Sequence, residues 1–199
     1  MNTVNLSQYS IGSYNPGNIV KRVVWYIVNR LVFLTSLPIP SSLKVNILRI
    51  FGARVGKGVT VKPRVNIKYP WFVSIGNAVW IGEGAWLDSL GAITIGDSVC
   101  ISQNVYLCTG NHDYSKPAFD LNVGSIIIED GVWLGAGVMV APNVTVASHT
   151  VAVMGSVLTK STEAYGIYQG NPAVKVKTRV IRGDCKTPKD TSRTSAAVT

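Results

Sequence analysis

The hydrophobic residues in the middle of the chain recur at intervals of six. From Val55 to Leu158 they form five groups of three, and fourteen of the fifteen positions are Val, Ile or Leu. The positions are Val55, Val61, Ile67, Ile75, Ile81, Leu87, Ile95, Ile101, Leu107, Ile128, Leu134, Val140, Val146, Ala152 and Leu158. A period of six does not match a helix of 3.6 residues per turn, but it fits short strands joined by tight turns. The pattern predicts an all-β solenoid of about five coils, each closed by three segments of six residues.

A second set of positions lies four residues after the first two aliphatic positions of each group. All ten hold small or β-branched residues: Val59, Val65, Val79, Ala85, Val99, Val105, Val132, Val138, Thr150 and Ser156. We expect these side chains to point inward near the corners, where space is limited. Coils stacked at the spacing of neighbouring strands, about 4.8 Å, would then share one core.

The insertions between the groups all fall at the same point of the repeat. The interval rises from six to eight after Ile67 and after Leu87, and to twenty-one after Leu107. Each insertion follows the third segment of a coil, so the extra loops are predicted to leave one edge of the prism. Loops gathered on one edge of a rigid scaffold are where a site is usually built. This edge carries Asp88 from one coil and His112 from the next.

The segment before the repeat predicts two helices. Residues from Ile19 to Leu34 are apolar at helical spacing, but the stretch is too short and too charged to span a membrane. The predicted apolar face consists of Ile19, Val23, Tyr26, Ile27, Arg30, Leu31 and Leu34. Two placements remain open: the face packs on the protein's own core, or it lies on a membrane surface, which Trp25 and the nearby basic residues would suit. A second short helix is expected to end at Phe51.

These patterns divide the chain into four segments. An N-terminal helical segment covers 1–53, and the solenoid covers 54–163 with a loop at 112–127. A closing segment follows at 164–182, and a flexible tail at 183–199. The N-terminus lacks the pattern of a signal peptide.

Composition narrows the class of protein. A chain of 199 residues that is 47% hydrophobic and 15% charged is typical of a single globular domain and excludes intrinsic disorder. Three cysteines at irregular spacing fit neither a disulfide framework nor a zinc site, which indicates a reducing, cytoplasmic compartment. Two histidines exclude a metal site that needs three imidazole ligands, so no metal is expected.

The net charge of +9 is concentrated in part at the C-terminal end. The span 175–193 holds seven of the basic residues. Two interpretations remain open: the span is a solvated tail, or Lys175, Lys177 or Arg179 contacts an anionic small molecule. The usual nucleic-acid-binding motifs are not found, so no nucleic-acid partner is expected.

Three short motifs identify the chain with a known family. Thr159-Lys160 followed by Gly170-Asn171-Pro172-Ala173 is similar to the closing signature of the hexapeptide-repeat acyltransferases. The run from Gln103 to Tyr114, with its sequence Thr-Gly-Asn-His-Asp-Tyr, resembles the catalytic loop of the galactoside and maltose acetyltransferase branch. Together with Phe51-Gly52-Ala53, this loop most closely resembles the colanic acid biosynthesis acetyltransferases.

The resemblance implies a left-handed parallel β-helix, although ordinary crossovers favour the right hand. It also implies a homotrimer with the acetyl-CoA groove between subunits. The implied reaction is acetyl transfer from acetyl-CoA to a hydroxyl of a sugar in polysaccharide biosynthesis, in the cytoplasm or at the inner face of the membrane.

The resemblance also implies roles for individual residues. His112 is the expected general base, because imidazole is suited to accept a proton at neutral pH. The alternative is a loop histidine satisfied by local hydrogen bonds. The expected substrate-binding residues are Asp88, which the spacing of the insertions places on the edge of His112, and Asn104, Asp113 and Trp133. Alternatives remain open for three of them: Asp88 and Asn104 would serve the turns in which they lie, and Trp133 would pack between subunits. For acetyl-CoA the matching positions are Ala136, Met154, Gly155, Thr159, Lys160, Lys175 and Lys177.

Other functions on the same fold fit the sequence less well. A carbonic anhydrase on the same solenoid needs three zinc histidines and is excluded by the two in the chain. A route through an acyl-cysteine at Cys108 is disfavoured, because the sequence shows no activated nucleophile beside it. A different acyl donor, an amino-sugar acceptor and a non-catalytic scaffold remain alternatives. Met154, where the family has a small residue, and Gly82-Glu83-Gly84, where the galactoside branch carries asparagines, depart from the pattern.

Overall fold

In the computed structural model, which describes residues 3–183, the six-residue repeat folds into three parallel sheets that form the sides of a prism. Face A consists of β1 (Arg54–Val55), β4 (Val73–Ile75), β7 (Ile93–Ile95), β12 (Ile126–Ile128) and β15 (Thr145–Val146). Face B consists of β2 (Thr60–Val61), β5 (Trp80–Ile81), β8 (Cys100–Ile101), β13 (Trp133–Leu134) and β16 (Val151–Ala152), and is extended by the C-terminal strands. Face C consists of β3 (Asn66–Ile67), β6 (Trp86–Asp88), β9 (Tyr106–Cys108), β14 (Met139–Val140) and β17 (Val157–Leu158).

The register of the sheets is the one that the repeat predicts. Each aliphatic position lies opposite its counterpart in the next coil, as in the pair Val55 and Ile75 on face A. Fourteen of the fifteen aliphatic positions are buried, and Val55, in the first coil, is half-buried. All ten small or β-branched positions are also buried. The predicted solenoid of five stacked coils with one shared core is confirmed.

The insertions leave one edge, between face C and face A. A single 3-10 turn at Pro70–Phe72 follows the first coil, and the longest excursion follows β9. That excursion contains an antiparallel hairpin of β10 (Gly110–His112) and β11 (Leu121–Val123). The predicted loop at 112–127 therefore shifts to 109–125, because Ile126 already pairs with Ile93 in face A.

Two helices cover the open end of the first coil. They are α1 (Ile19–Val28), which continues in a π-helical turn at Asn29–Phe33, and α2 (Ser41–Ile50). On each face of the first coil, a helix side chain donates to a backbone carbonyl at the open end of the sheet. The donors and acceptors are Arg49 Nη2 to Val55 at 2.8 Å, Lys44 Nζ to Val61 at 3.4 Å and Trp25 Nε1 to Ile67 at 2.8 Å. The helices thus protect a sheet end that would otherwise pair with another chain.

Of the two placements left open for the predicted apolar face of α1, packing on the protein's own core is wrong. Trp25 is buried, with its ring 5.3 Å from that of Phe33 and 5.0 Å from that of Phe51. Because its indole must reach the carbonyl of Ile67, the stripe that faces the core runs through Trp25, Asn29 and Phe33. The opposite face is exposed: Ile19, Val20, Val23, Val24, Tyr26, Ile27 and Leu31.

The chain closes with a hairpin on face B. Strand β18 (Gly166–Gly170) pairs with β16 and begins a sixth coil, and β19 (Ala173–Thr178) pairs antiparallel with β18. The motif Gly170-Asn171-Pro172-Ala173 forms the turn between them. Of the predicted flexible tail at 183–199, residues 184–199 lie outside the described residues.

The positive charge is more widely distributed than the C-terminal cluster suggests. The first 82 residues contain ten lysines and arginines and no aspartate or glutamate. Among residues 3–183, no helix has both the length and the apolarity needed to cross a bilayer. The same range contains no group of three or more metal-ligating side chains.

Candidate active site

His112 ends strand β10, at the start of the long excursion. Its Nδ1 lies 3.0 Å from the carbonyl oxygen of Phe119, and its ring stacks on the Phe119 ring with 4.4 Å between centroids and an angle of 10°. The ring of Tyr9 also lies near the imidazole, with 5.8 Å between the two ring centroids. A carbonyl oxygen can only accept, so Nδ1 carries the proton and Nε2 of the neutral ring keeps its lone pair. The histidine is therefore held in the tautomer that a base acting through Nε2 requires.

Asp113 belongs to the turn that follows. Its carboxylate accepts hydrogen bonds from the Ser115 hydroxyl and backbone N–H, and it lies 3.6 Å from Nζ of Lys116. The Ser115 hydroxyl is the main reason that the pKa of Asp113 lies below its usual value. The predicted substrate ligand thus also stabilises the loop that carries His112.

The N-terminal residues pass along this loop and fix it from outside. The backbone N–H of Asn5 donates to Pro117 at 2.8 Å, and that of Leu121 donates to Ser10 at 3.2 Å. These contacts join residues more than 100 positions apart in the chain. They place Tyr9 beside His112, although Tyr9 lies outside every motif in the sequence.

Asp88 lies at the same edge, at the end of β6, and is only 7% exposed. Its Oδ2 accepts a hydrogen bond from the Tyr106 hydroxyl at 3.1 Å, and its Oδ1 lies 3.3 Å from Nζ of Lys68. Burial of Tyr106, then its contacts with Cys108 and Asp88, raise the pKa of the phenol. Tyr106 therefore stays protonated and can donate to Asp88.

The backbone of Asp88 connects the two candidate residues. Its carbonyl oxygen accepts from Oγ1 of Thr109 at 2.6 Å, and Thr109 directly precedes strand β10. Asp88 and His112 therefore share the predicted edge. Among the hydrogen bonds of residues 3–183, none joins their side chains, so Phe119 rather than Asp88 orients the imidazole.

Asn104 and Trp133 lie away from this edge within one chain. Asn104 is in the turn between β8 and β9, at the edge between faces B and C, with a φ of 56°. A left-handed backbone is readily adopted by asparagine, so the residue also has a role in the turn. Trp133 points outward from face B, half exposed, and its Nε1 donates to Oγ of Ser102 at 3.0 Å.

The residues expected to bind acetyl-CoA lie on two edges and on the closing strand β19. Ala136 and Gly155 occupy successive turns between faces B and C, where the Gly155 N–H donates to the Ala136 carbonyl at 2.9 Å. A side chain added at Gly155 would meet no neighbouring atom within 4 Å, and Met154 beside it is 74% exposed. Both turns therefore leave an open surface along which a chain of pantetheine type can pass.

The remaining cofactor candidates lie beyond the last full coil. Thr159 and Lys160 follow β17 at the edge between faces C and A, the edge of His112. Lys175 and Lys177 are in β19, and Nζ of Lys175 lies 2.6 Å from the carboxylate of Glu163. That hydrogen bond raises the pKa of Lys175 above its usual value.

Comparison with known proteins agrees with this architecture. The protein named as a colanic acid biosynthesis acetyltransferase, WcaF, of Escherichia coli (strain K12) is 39% identical over 177 residues, which cover 88% of this chain and 97% of that protein. The hexapeptide-repeat acetyltransferase VCA0836 of Vibrio cholerae, solved with acetyl coenzyme A, matches with a TM-score of 0.73 at 22% identity over 81% of this chain and 88% of that one. A galactoside acetyltransferase solved with coenzyme A matches with a TM-score of 0.72 at 24% identity over 80% of each chain.

No protein-family model matches the sequence. The identity to WcaF extends over 88% of this chain and 97% of that protein, and the solved acetyltransferases share the fold over about four fifths of this chain. The chain therefore belongs to the hexapeptide-repeat acyltransferases, enzymes built on a left-handed parallel β-helix.

Proposed function

We propose that this enzyme transfers the acetyl group of acetyl-CoA to a hydroxyl of a sugar used in exopolysaccharide synthesis, with His112 as the general base. The observation that carries the proposal is the hydrogen bond from Nδ1 of His112 to the Phe119 carbonyl, which leaves Nε2 basic. The name of the relative WcaF supports a polysaccharide precursor as the acceptor.

The proposed reaction is a direct transfer in a ternary complex. Nε2 of His112 takes the proton of the acceptor hydroxyl while its oxygen attacks the thioester carbonyl. The tetrahedral intermediate then expels the thiolate of coenzyme A, which takes the proton from the imidazolium to leave a thiol and a sugar ester. Asp88 is proposed to bind the acceptor from the same edge, with its carboxylate positioned by Lys68 and Tyr106.

The separation of the two candidate sites within one chain supports a trimer. Ala136 and Gly155 lie one face away from the edge of His112, and a face spans about six residues, roughly 20 Å at 3.3 Å per residue. A second chain that brings its own turn to the edge of the first would remove this separation. We therefore propose a homotrimer whose active sites combine His112 from one subunit with the acetyl-CoA surface of its neighbour.

The exposed face of α1 supports docking on an anionic membrane surface. Its aliphatic side chains, among them Val20 and Leu31 at 65% and 68% exposure, lie in a segment of ten basic and no acidic residues. Apolar insertion and attraction to anionic lipid would act together there. In the proposed cytoplasmic location this surface is the inner face of the membrane.

Sedimentation with lipid vesicles tests the docking. We expect the protein to bind vesicles that contain phosphatidylglycerol more strongly than neutral ones, and a Val23→Asp/Ile27→Asp variant to remain in the supernatant. Ile127→Asp, on the outer side of face A, is the matched control and should bind as the wild type does. Equal binding by both variants would contradict docking through α1.

The proposed transfer is tested by measuring the release of coenzyme A in the presence of sugar acceptors. Acceptor-dependent release with formation of an acetyl ester is the expected result. Formation of an acetyl amide with an amino sugar, and no ester with a hydroxyl acceptor, would favour the alternative acceptor class. Absence of thioester cleavage with every acceptor would favour a non-catalytic scaffold.

A further inference from the structure

A groove of about 390 Å³ runs between α1 and the edge of face C. Its walls include three basic side chains, Arg22, Arg30 and Lys68, and four aromatic ones, Trp25, Tyr26, Tyr69 and Trp86. None of the described residues that line it is acidic. The groove therefore combines apolar walls, which include Ile19, Val23 and Leu34, with the positive charge of its basic side chains.

The two arginines have no carboxylate partner among residues 3–183. The guanidinium of Arg22 lies 5.9 Å from the ring of Tyr69, and that of Arg30 lies 5.2 Å from the ring of Tyr26. The Nε atom of Arg22 is buried and, within the described chain, without a hydrogen-bond partner. Arginine donors held in this way are suited to a phosphate or a carboxylate, which they bind through paired hydrogen bonds.

A buried amide adds a second polar group to the wall. Asn29 is 6% exposed, and its Nδ2 donates to Asn66 Oδ1 at 2.8 Å. Its Oδ1 is buried without a hydrogen-bond partner in the part of the chain that the structure describes. Such an oxygen accepts a hydrogen bond from a hydroxyl group, whereas it repels an anion.

The groove continues to the proposed acceptor edge. Lys68 lines the groove and lies 3.3 Å from Asp88. Trp86 lines it too, and its ring lies 4.8 Å from the ring of Tyr106, whose hydroxyl donates to Asp88. A molecule with one hydroxyl at Asp88 would therefore extend over Trp86 towards the arginines.

We propose that this groove binds the part of the acceptor beyond the acetylated sugar, and that this part is an anionic saccharide. The ring of Trp86 packs against a sugar ring, Asn29 accepts from a hydroxyl, and Arg22 and Arg30 bind the negative group. The anion is a phosphate ester of the sugar or the carboxylate of a uronic acid. The inference rests on the proposed function, because it assigns the groove to the acceptor.

Isothermal titration of the full-length protein tests the inference. The probes are glucose 1-phosphate, a glucuronate-containing disaccharide, the neutral disaccharide lactose and inorganic phosphate. We expect one of the two anionic saccharides to bind at least about tenfold more tightly than lactose and inorganic phosphate, and the one that does so identifies the source of the negative charge.

Two variants and a control locate the binding. Arg30→Gln, at an exposed position, and Arg22→Gln should each lower the affinity for the anionic saccharide by about tenfold. The affinity of both variants for lactose should stay unchanged. Arg54→Gln, exposed on face A, is the matched control and should bind as the wild type does. Melting temperatures and size-exclusion profiles of all variants show whether folding or assembly has changed.

Several results would overturn the inference. The first two are equal binding of anionic and neutral saccharides, and no binding of either anionic probe. The other two are binding of inorganic phosphate as tight as that of the sugar phosphate, and a loss of affinity in Arg54→Gln equal to that in the arginine variants of the groove. An unchanged affinity combined with an altered oligomeric state in Arg30→Gln would assign the groove to a second copy of the chain instead. Titration and turnover of His112→Ala separate the two proposals, because saccharide binding tests the groove and turnover tests the base. A His112→Ala variant that binds the anionic saccharide and still turns over would refute the base and leave the groove assigned.

Discussion

The imidazole of His112 is fixed by Phe119, in the loop between β10 and β11, through both a hydrogen bond and a stacked ring. Nδ1 lies 3.0 Å from the Phe119 carbonyl, and the two rings are nearly parallel, at 10°. The backbone carbonyl of Phe119 fixes the tautomer of the imidazole, and the Phe119 ring fixes its orientation. A general base at this position thus depends on the conformation of the loop as much as on the histidine itself.

Removal of the imidazole should abolish turnover but not donor binding. In His112→Ala we expect kcat to fall by about 10²- to 10⁴-fold, the usual contribution of a general base. Binding of coenzyme A, measured by titration calorimetry, should stay within about twofold of the wild type, because the imidazole is proposed to act on the acceptor hydroxyl and not to bind the donor. A variant with wild-type kcat would rule out His112 as the base.

The stacked ring of Phe119 should matter for rate rather than affinity. Phe119→Ala keeps the backbone carbonyl but lets the imidazole rotate, so kcat should fall by about tenfold with little change in the KM for acetyl-CoA. Tyr114→Ala, in the same loop and 83% exposed, is the matched control. An equal loss in both variants would indicate a general loosening of the loop and contradict a specific role for the stack.

Mixed trimers test whether each active site is shared between subunits. His112→Ala and Ala136→Trp should each be inactive alone. If one subunit supplies the base and its neighbour the acetyl-CoA surface, random mixing of the two chains restores about a quarter of the wild-type activity. No recovery after mixing and refolding, with trimers confirmed by light scattering, would show that both residues must lie on one chain.

Lys44 predicts a pH-dependent stability. Its side chain is fully buried at the end of the first coil, where Nζ donates to the Lys62 carbonyl at 2.9 Å, and burial lowers its pKa from the usual 10.5. Lys44→Met should destabilise the protein by about 1–3 kcal/mol, because it leaves buried carbonyls without a donor. Urea unfolding measures this difference, with the exposed Lys57→Met as the control.

The sign of the pH effect follows from the direction of the shift. Between the lowered pKa of the folded state and 10.5, the unfolded chain binds more protons at Lys44, so the stability of the wild type rises with pH relative to Lys44→Met. Below that window the cost of the buried charge is present in full. The stability difference between the two proteins should therefore be larger at pH 9.5 than at pH 7. A constant difference would show that the pKa of Lys44 is the same in the folded and unfolded states, and would contradict the shift.

The solenoid could be predicted from sequence because its pattern is local and repeated. Each coil imposes the same inward position every six residues, so Val61, Ile81 and Ile101 predict one another, and one insertion point fixes one edge. The placement of α1 could not be predicted in this way. Its apolar residues surround the helix, and the inward side is decided by the Ile67 carbonyl that Trp25 must reach, 42 residues along the chain.

The candidate site likewise contains residues that the repeat predicts and residues that it does not. His112 and Asp88 were placed on one edge by the spacing of the repeat, since insertions after a given segment leave at a given corner. The residues that position them, such as Tyr9 and Phe119, could not be found, because hydrogen bonds to backbone carbonyls and contacts over 100 residues leave no signature in a single sequence. Ala136 and Gly155 were expected at a groove between subunits, and within one chain they lie one face away from the edge of His112.

The most direct test of the account is intact-protein mass spectrometry combined with a single-turnover assay using labelled acetyl-CoA. In direct transfer with His112 as the base, the protein incubated with acetyl-CoA alone keeps its mass, and addition of the acceptor moves the label to the sugar in the wild type but not in His112→Ala. An acetylated protein that forms without acceptor and passes its label to the sugar, or undiminished transfer by His112→Ala, would contradict it.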